Sequence, residues 1–206
     1  MSKDNSIPTQ KIGAESDTSS EVILNSTEAA IEHFKTVKQR LLDVSKWHSI
    51  SGKFSADFTL TDNEGNPVNR LAQEGDFFKI KIPAPKNETG DGYDWVQIQG
   101  IEDLNPSEHI QSVSIKVKPA ANPQNLKEET AHFFKDEASS TFLVKRDHQT
   151  IAAEVHGRNE VPNTDADFKD SIRNLFVALG AMLGFSKTQW KAIVEGLIEV
   201  DDSKKA

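Results

Sequence analysis

The stretch Glu21–Gly52, EVILNSTEAAIEHFKTVKQRLLDVSKWHSISG, sets a strand and a helix end to end. EVILN (21–25) is short and apolar at its centre, which predicts a strand. Ser26-Thr27 supplies capping hydroxyls, and Glu28 puts a carboxylate in the first turn, where the helix dipole favours it. Ala30, Ile31, Phe34, Val37, Leu41 and Leu42 then recur at i, i+3/i+4 as one apolar stripe, with His33, Lys35, Lys38, Gln39 and Arg40 on the other face. A break or bend is expected near Asp43 to Ser45. Trp47 and Ile50 continue the apolar side, and Ser51-Gly52 ends the helix.

Six strand candidates follow. Phe54, Ala56, Phe58 and Leu60 alternate with polar residues. Phe77–Ala84 alternates Phe78, Ile80 and Ile82 against Lys79 and Lys81. Tyr93–Ile101 carries Tyr93 and Trp95 on one side and Val96 and Ile98 on the other. Gln111–Pro119 alternates Val113, Ile115 and Val117 against Ser112, Ser114 and Lys116. Ser139–Arg146 and Thr150–Arg158 are separated by Asp147-His148-Gln149, a hairpin-length loop. The connection Ala120–Ala138 is long, which usually signals function or local structure, and its Phe133-Phe134 pair is a candidate lid. The C-terminal part reads as helical. Asn163-Thr164-Asp165 caps a run with Phe168, Ile172, Leu175, Phe176, Leu179, Met182 and Leu183 on one broad face. Gly184-Phe185 interrupts it, and Ser186-x-x-Gln189 restarts a second amphipathic helix with Trp190, Ile193, Val194, Leu197 and Ile198.

Composition narrows the function classes. The 206 residues include 24 Lys+Arg against 32 Asp+Glu, a net charge of -8, and this acidic balance argues against tracking a phosphate backbone. No cysteine means no disulfide, thiol nucleophile or iron–sulfur cluster. No apolar run approaches the roughly 20 residues of a membrane span, and residues 1–20 have no signal-peptide core, so a cytoplasmic location is expected. Residues 1–20 contain four apolar residues, Met1, Ile7, Ile12 and Ala14, which predicts a disordered tail, as does DDSKKA at 201–206. Residues 21–200 are expected to form one domain.

The strand EVILNS, the helix TEAAIEHFKTVKQRLLDVSKW, the strand KFSADFTL and the helix DFKDSIRNLFVALGAML together resemble the START-like or helix-grip superfamily, which includes polyketide cyclase-like and lipid-transfer domains. The resemblance runs from about Glu21 to Gly184. It implies an α+β fold in which a curved antiparallel sheet of six to seven strands grips a long C-terminal helix, after an N-terminal helix or helix pair. It also implies an apolar ligand cavity between that helix and the sheet, and it carries over no catalytic residue. The helix Lys187–Val200 is extra to the simplest version of the fold. A cone-shaped fold of the nuclear-transport-factor type is the structural alternative.

Chemistry-bearing motifs are sparse. Glu154, His156, Arg158 and Glu160 share one strand face by the period of two, and a His between carboxylates is a general-base pattern. Ile151, Ala153, Val155 and Gly157 make the other face the core side, which favours a solvated ion-pair face for the charged set. Only reversed faces would bring His156 and Arg158 to a ligand. The six histidines show no metal-ligand spacing. Asp62–Asn66 fails as a calcium loop because Pro67 stands where glycine is required. No nucleophile elbow or glycine-rich phosphate loop occurs. No cofactor or metal is expected.

The aromatics carry the ligand-site expectation. Phe54, Phe58, Phe78, Tyr93, Trp95, Phe142, Phe168 and Phe176 sit at inward or semi-inward positions, as a cavity lining or a packed core, with His156 as a polar addition. Tyr93 and Trp95 are favoured because each has a polar tip that orients a ligand. The expected function is non-catalytic binding of a small apolar or amphipathic molecule. The alternatives are a cyclase- or hydrolase-like enzyme using His156, Glu154 or Tyr93, and an interaction protein whose last helix pairs as a homodimer. That helix equally suits packing on the first helix.

Overall fold

In the computed structural model, residues 6–52, 57–81, 92–125, 137–161, 187–200, 203 and 205 are described. A strand β1 (Ala14–Ile23) leads into α1 (Thr27–Leu42), a 3-10 turn (Val44–Lys46) and α2 (Trp47–Ser51). Then come β2 (Asp57–Thr61), β3 (Phe77–Lys81), β4 (Asp94–Leu104), β5 (Ile110–Pro119), β6 (Ser139–Asp147) and β7 (Thr150–Glu160), and finally α3 (Lys187–Ile198). The strands form one antiparallel sheet in the order β1-β7-β6-β5-β4-β3-β2. The described residues thus form an α+β fold, one antiparallel sheet with helices. The expected segments 53–56, 126–136 and 162–186, with Phe54, Phe133, Phe134, Phe168 and Phe176, lie outside the described residues.

Local chemistry accounts for the helical breaks. The Ser26 hydroxyl accepts from the Ala29 amide at 3.1 Å and starts α1. Asp43, outside helical geometry, stops it where the bend was expected. The 3-10 turn then aims α2 so that Trp47 enters the core with no exposed surface. The Trp47 indole N–H donates to the carbonyls of Arg40 and Leu41, so the last turn of α1 is satisfied from within the core. Rings of Phe58, Phe78 and Phe142 surround Trp47 at centroid distances of 5.3, 5.9 and 4.6 Å. Trp190 of α3 meets Phe142 from the other side at 5.6 Å.

The helix α3 is integral, not appended. Ile193, Val194, Leu197 and Ile198 are buried within the chain. Their stripe is therefore used inside the fold, packed mainly against α2, β1 and β7. Gly196 permits a close approach to α2, because a Cβ at that position would stand 2.0 Å from the Ile50 carbonyl oxygen. Arg40 donates to the carbonyls of Gly196, Leu197 and Glu199, capping the negative end of the α3 dipole. Arg40 and His33, whose ring nitrogen lies 3.1 Å from the Ile198 carbonyl, thus leave the solvent face assigned to them.

Part of each segment expected as a disordered tail is described and paired. β1 begins at Ala14 and pairs with β7 along its length. An edge strand is held by backbone hydrogen bonds and cross-strand ion pairs, so its side chains need little apolar content. Further upstream, the Asn159 side-chain oxygen accepts from the amides of Lys11 and Ile12. At the other end Lys205 bridges to Leu24. No helix among the described residues is long and apolar enough to cross a membrane.

Replacing Trp47 with Ala removes the shared centre of the aromatic cluster. The expected loss is about 3–5 kcal/mol in urea denaturation, with Trp47→Phe losing clearly less.

Candidate functional site

The sheet register arranges the inner-face residues in rows across the strands. Thr18, Val155, Phe142 and Ile115 form one row, roofed by the contacts of Phe142 with Trp47 and Trp190. Toward one end of the sheet, the row Val22–Ile151–Arg146–Gln111 closes the interior with a buried guanidinium. Arg146 donates to the Gln111 side-chain oxygen and to the carbonyls of His148 and Glu108, so each of its three nitrogens has an acceptor. Toward the other end lies the row Ser16–Gly157–Ser140–Val117–Ile98. Its β1–β7–β6 half has only two hydroxyls and a glycine, and its β5–β4 half is apolar. The row is therefore small and polar at one end and apolar at the other.

Glu160 occupies the polar end. Asn159, with φ +56°, makes a bulge so that two residues of β7, Arg158 and Asn159, oppose one of β1, Glu15, between the pairs Gly157–Ser16 and Glu160–Ala14. The bulge takes Glu160 out of the charged face on which simple alternation places it. Its carboxylate lies back over Gly157, where a Cβ would stand 2.2 Å from Oε1, and Oε1 is 3.4 Å from the Ser16 hydroxyl. Oε2 is buried and has no hydrogen-bond partner. Burial raises this carboxyl to about 7, against the smaller opposing effects of Ser16 and Arg158. The one advance signal was Arg158-Asn159-Glu160 itself, since asparagine tolerates positive φ better than most residues.

The site residues expected from sequence divide between the two faces. Phe58, Phe78 and Phe142 are inward and pack on Trp47 as part of the core. Trp95 is buried on the opposite face from Val96 and Ile98, so it is no inner-face residue. The Lys79 ammonium lies 4.7 Å from the Tyr93 ring centroid and 5.9 Å from that of Trp95, which groups the three on the outer side. Their inward assignment is corrected: alternation allowed only one of the pairs Tyr93/Trp95 and Val96/Ile98 to face the core.

His156 also lies on the outer face, because Val155 and Ala153 point to the core. Its ring nitrogens meet Asp17 at 2.6 Å and Glu154 at 2.8 Å. Arg158 donates to Asp17 at 2.7 Å, and Lys145 reaches Glu154 at 2.5 Å. This is the cross-strand ion-pair network weighed against a general base. Burial disfavours the charged ring, yet the two carboxylates outweigh it and hold the His156 pKa above its usual value. The hydrogen bond from His156, with Lys145, holds Glu154 below its own despite burial. With both ring nitrogens engaged by carboxylates, His156 is placed as a partner in this network. Among the described residues, no group of three or more His, Asp or Glu is placed to hold a metal.

A separate groove of about 720 Å³ runs outside the core between β1, α2 and α3, lined by Val22, Ile50, Ala192, Gly196, Ile198 and Val200 among others. It is open to solvent.

The chain matches no protein-family model and no curated protein. Among solved structures, it is similar to a protein from Bacillus thuringiensis at 18% identity and TM-score 0.36, covering 90% of this chain and 100% of that one. It is similar to ginseng major latex-like protein 151 from Panax ginseng at 12% identity and TM-score 0.32, covering 84% and 97%. Ara h 8.0201 follows at 13% identity and TM-score 0.33, covering 89% and 98%.

The raised carboxyl makes stability pH-dependent. Folded Glu160 keeps its proton to about pH 7, whereas the unfolded group loses it near the ordinary 4.5. Its stabilising contribution is therefore complete below pH 4.5 and lost as pH rises through 7. Relative to Glu160→Gln, the wild type is expected to lose on the order of 1–3 kcal/mol between pH 5 and pH 8 in urea denaturation. Parallel stability curves would contradict the assignment.

Proposed function

We propose that this protein is a non-catalytic binder of a small amphipathic molecule, held against the inner face of the sheet. The observation that carries the reading is the row Ser16–Gly157–Ser140–Val117–Ile98, polar at one end and apolar at the other. The aliphatic part of a ligand fits on Val117 and Ile98, and its polar end reaches Ser16, Ser140 and Glu160. Sites of this kind combine apolar walls with a few placed polar groups that fix orientation. The described helices pack mainly on β1, β2, β6 and β7.

The enzymatic alternative has weaker support. Its proposed residues His156 and Glu154 lie on the face opposite the row and neutralise each other. The interaction alternative loses its surface because the α3 stripe is internal.

Two measurements test binding. Native mass spectrometry of freshly purified protein is expected to show an added mass that leaves on collisional activation. The neutral dye N-phenyl-1-naphthylamine is expected to bind saturably at one per chain, with blue-shifted emission. Ser140→Trp fills the row and is expected to weaken the dye at least tenfold. A bare mass together with no saturable dye binding would overturn the proposal.

A further inference from the structure

We propose that the polar end of the ligand is a protonated amine and that Glu160 is the residue that receives it. This rests on the ligand-binding reading above and adds the chemical class of the head group. The carboxyl is 6% exposed, and its Oε2 has no partner. A buried carboxyl oxygen left unpaired costs free energy and requires an explanation. The local geometry shows that the placement is built: the Asn159 bulge turns the side chain inward, and glycine at 157 makes room for the carboxylate. Any side chain at position 157 would displace it.

The surrounding charges do not supply the missing partner. Arg158 directs its Nη1 to Asp17, to the Ser16 carbonyl and to the Gly157 carbonyl, and acts on Glu160 through its charge without a hydrogen bond. Asp17 is held by Arg158 and His156 on the outer face. Ser16 offers one hydroxyl, to Oε1, at a long 3.4 Å. Ser140 contributes a neutral hydroxyl to the row. Among the described residues no cation donates a hydrogen bond to Oε2, and an ammonium group would supply one. A carboxylate head group would instead place two acceptors together in a buried site, so fatty acids are selected against. Because the empty site keeps the carboxyl protonated into the neutral range, an arriving ammonium displaces that proton to solvent.

The test is competition for bound N-phenyl-1-naphthylamine by dodecylamine, dodecanol and dodecanoate, below their micelle-forming concentrations, at pH 7. Dodecylamine is expected to compete at least tenfold better than dodecanoate in the wild type. In Glu160→Gln the ratio of amine to alcohol affinity is expected to fall at least fivefold. Glu160→Asp, which keeps the charge on a shorter arm, is expected to fall between them, and thermal melting monitors the folding of both variants. Titration calorimetry of the wild type with dodecylamine at pH 6 in two buffers of different ionisation enthalpy is expected to show proton release. Equal or better competition by dodecanoate would overturn the head-group assignment while leaving ligand binding standing. An amine preference that survives Glu160→Gln would remove Glu160 from the site. Failure of the dye and of all three competitors to bind would overturn the binding reading itself, and this inference with it.

Discussion

A seven-stranded sheet with one apolar face must have that face covered, and the way three helices meet at Trp47 determines how much of it they cover. The bend at Asp43 is what lets α1 and α2 meet the sheet at different places. Trp47 then fixes the depth of α2 by contact with Phe58 and Phe78 from the neighbouring strands β2 and β3 and with Phe142 from β6, farther across the sheet. The helix α3 is seated by Gly196 against Ile50 and held at its end by Arg40. These contacts gather the helical cover over the middle of the sheet and its β1–β7 side. Small residues at 16, 157 and 140 fall together at one end of the inner face.

Much of the fold was legible because the periods were clean. The alternation of Val113, Ile115 and Val117, the stripe from Ala30 to Leu42, and the Ser26 cap each became the expected element. β1 before Glu21 escaped because apolar content is the wrong measure for an edge strand. What Glu15–Ser20 contributes is backbone pairing, with Asp17 meeting His156 and Arg158 across the strands. The final helix was legible as amphipathic, but its partner was not. Only the depth of α3 against α1, α2 and β1 shows that its stripe is internal.

The candidate site was less legible than the fold, for a specific reason. Aromatic residues attract attention in a sequence, yet here Phe58, Phe78 and Phe142 fill the core, and Trp95 lies on the other face. The row is marked by what is small, and serines and glycines on strands are ambiguous until register aligns them. Ser16, Gly157 and Ser140 come from widely separated parts of the chain and become neighbours only through the β1–β7 and β7–β6 pairings. Glu160 was further hidden by the bulge, which breaks the period-two rule that placed it beside Arg158. The charged face of Glu154 and His156 was correctly weighed as an ion-pair surface, and its hydrogen bonds account for every strong polar group on it.

The central claim is that a small amphipathic molecule lies along the inner row and not in the open groove between β1, α2 and α3. Methyl-selective NMR during titration with N-phenyl-1-naphthylamine tests this most directly. The account predicts saturable shifts for the Ile98 and Val117 methyls, with those of Val22 and Ile198 in the groove unchanged. Shifts confined to the groove methyls, or no saturable shift at Ile98 and Val117, would contradict it.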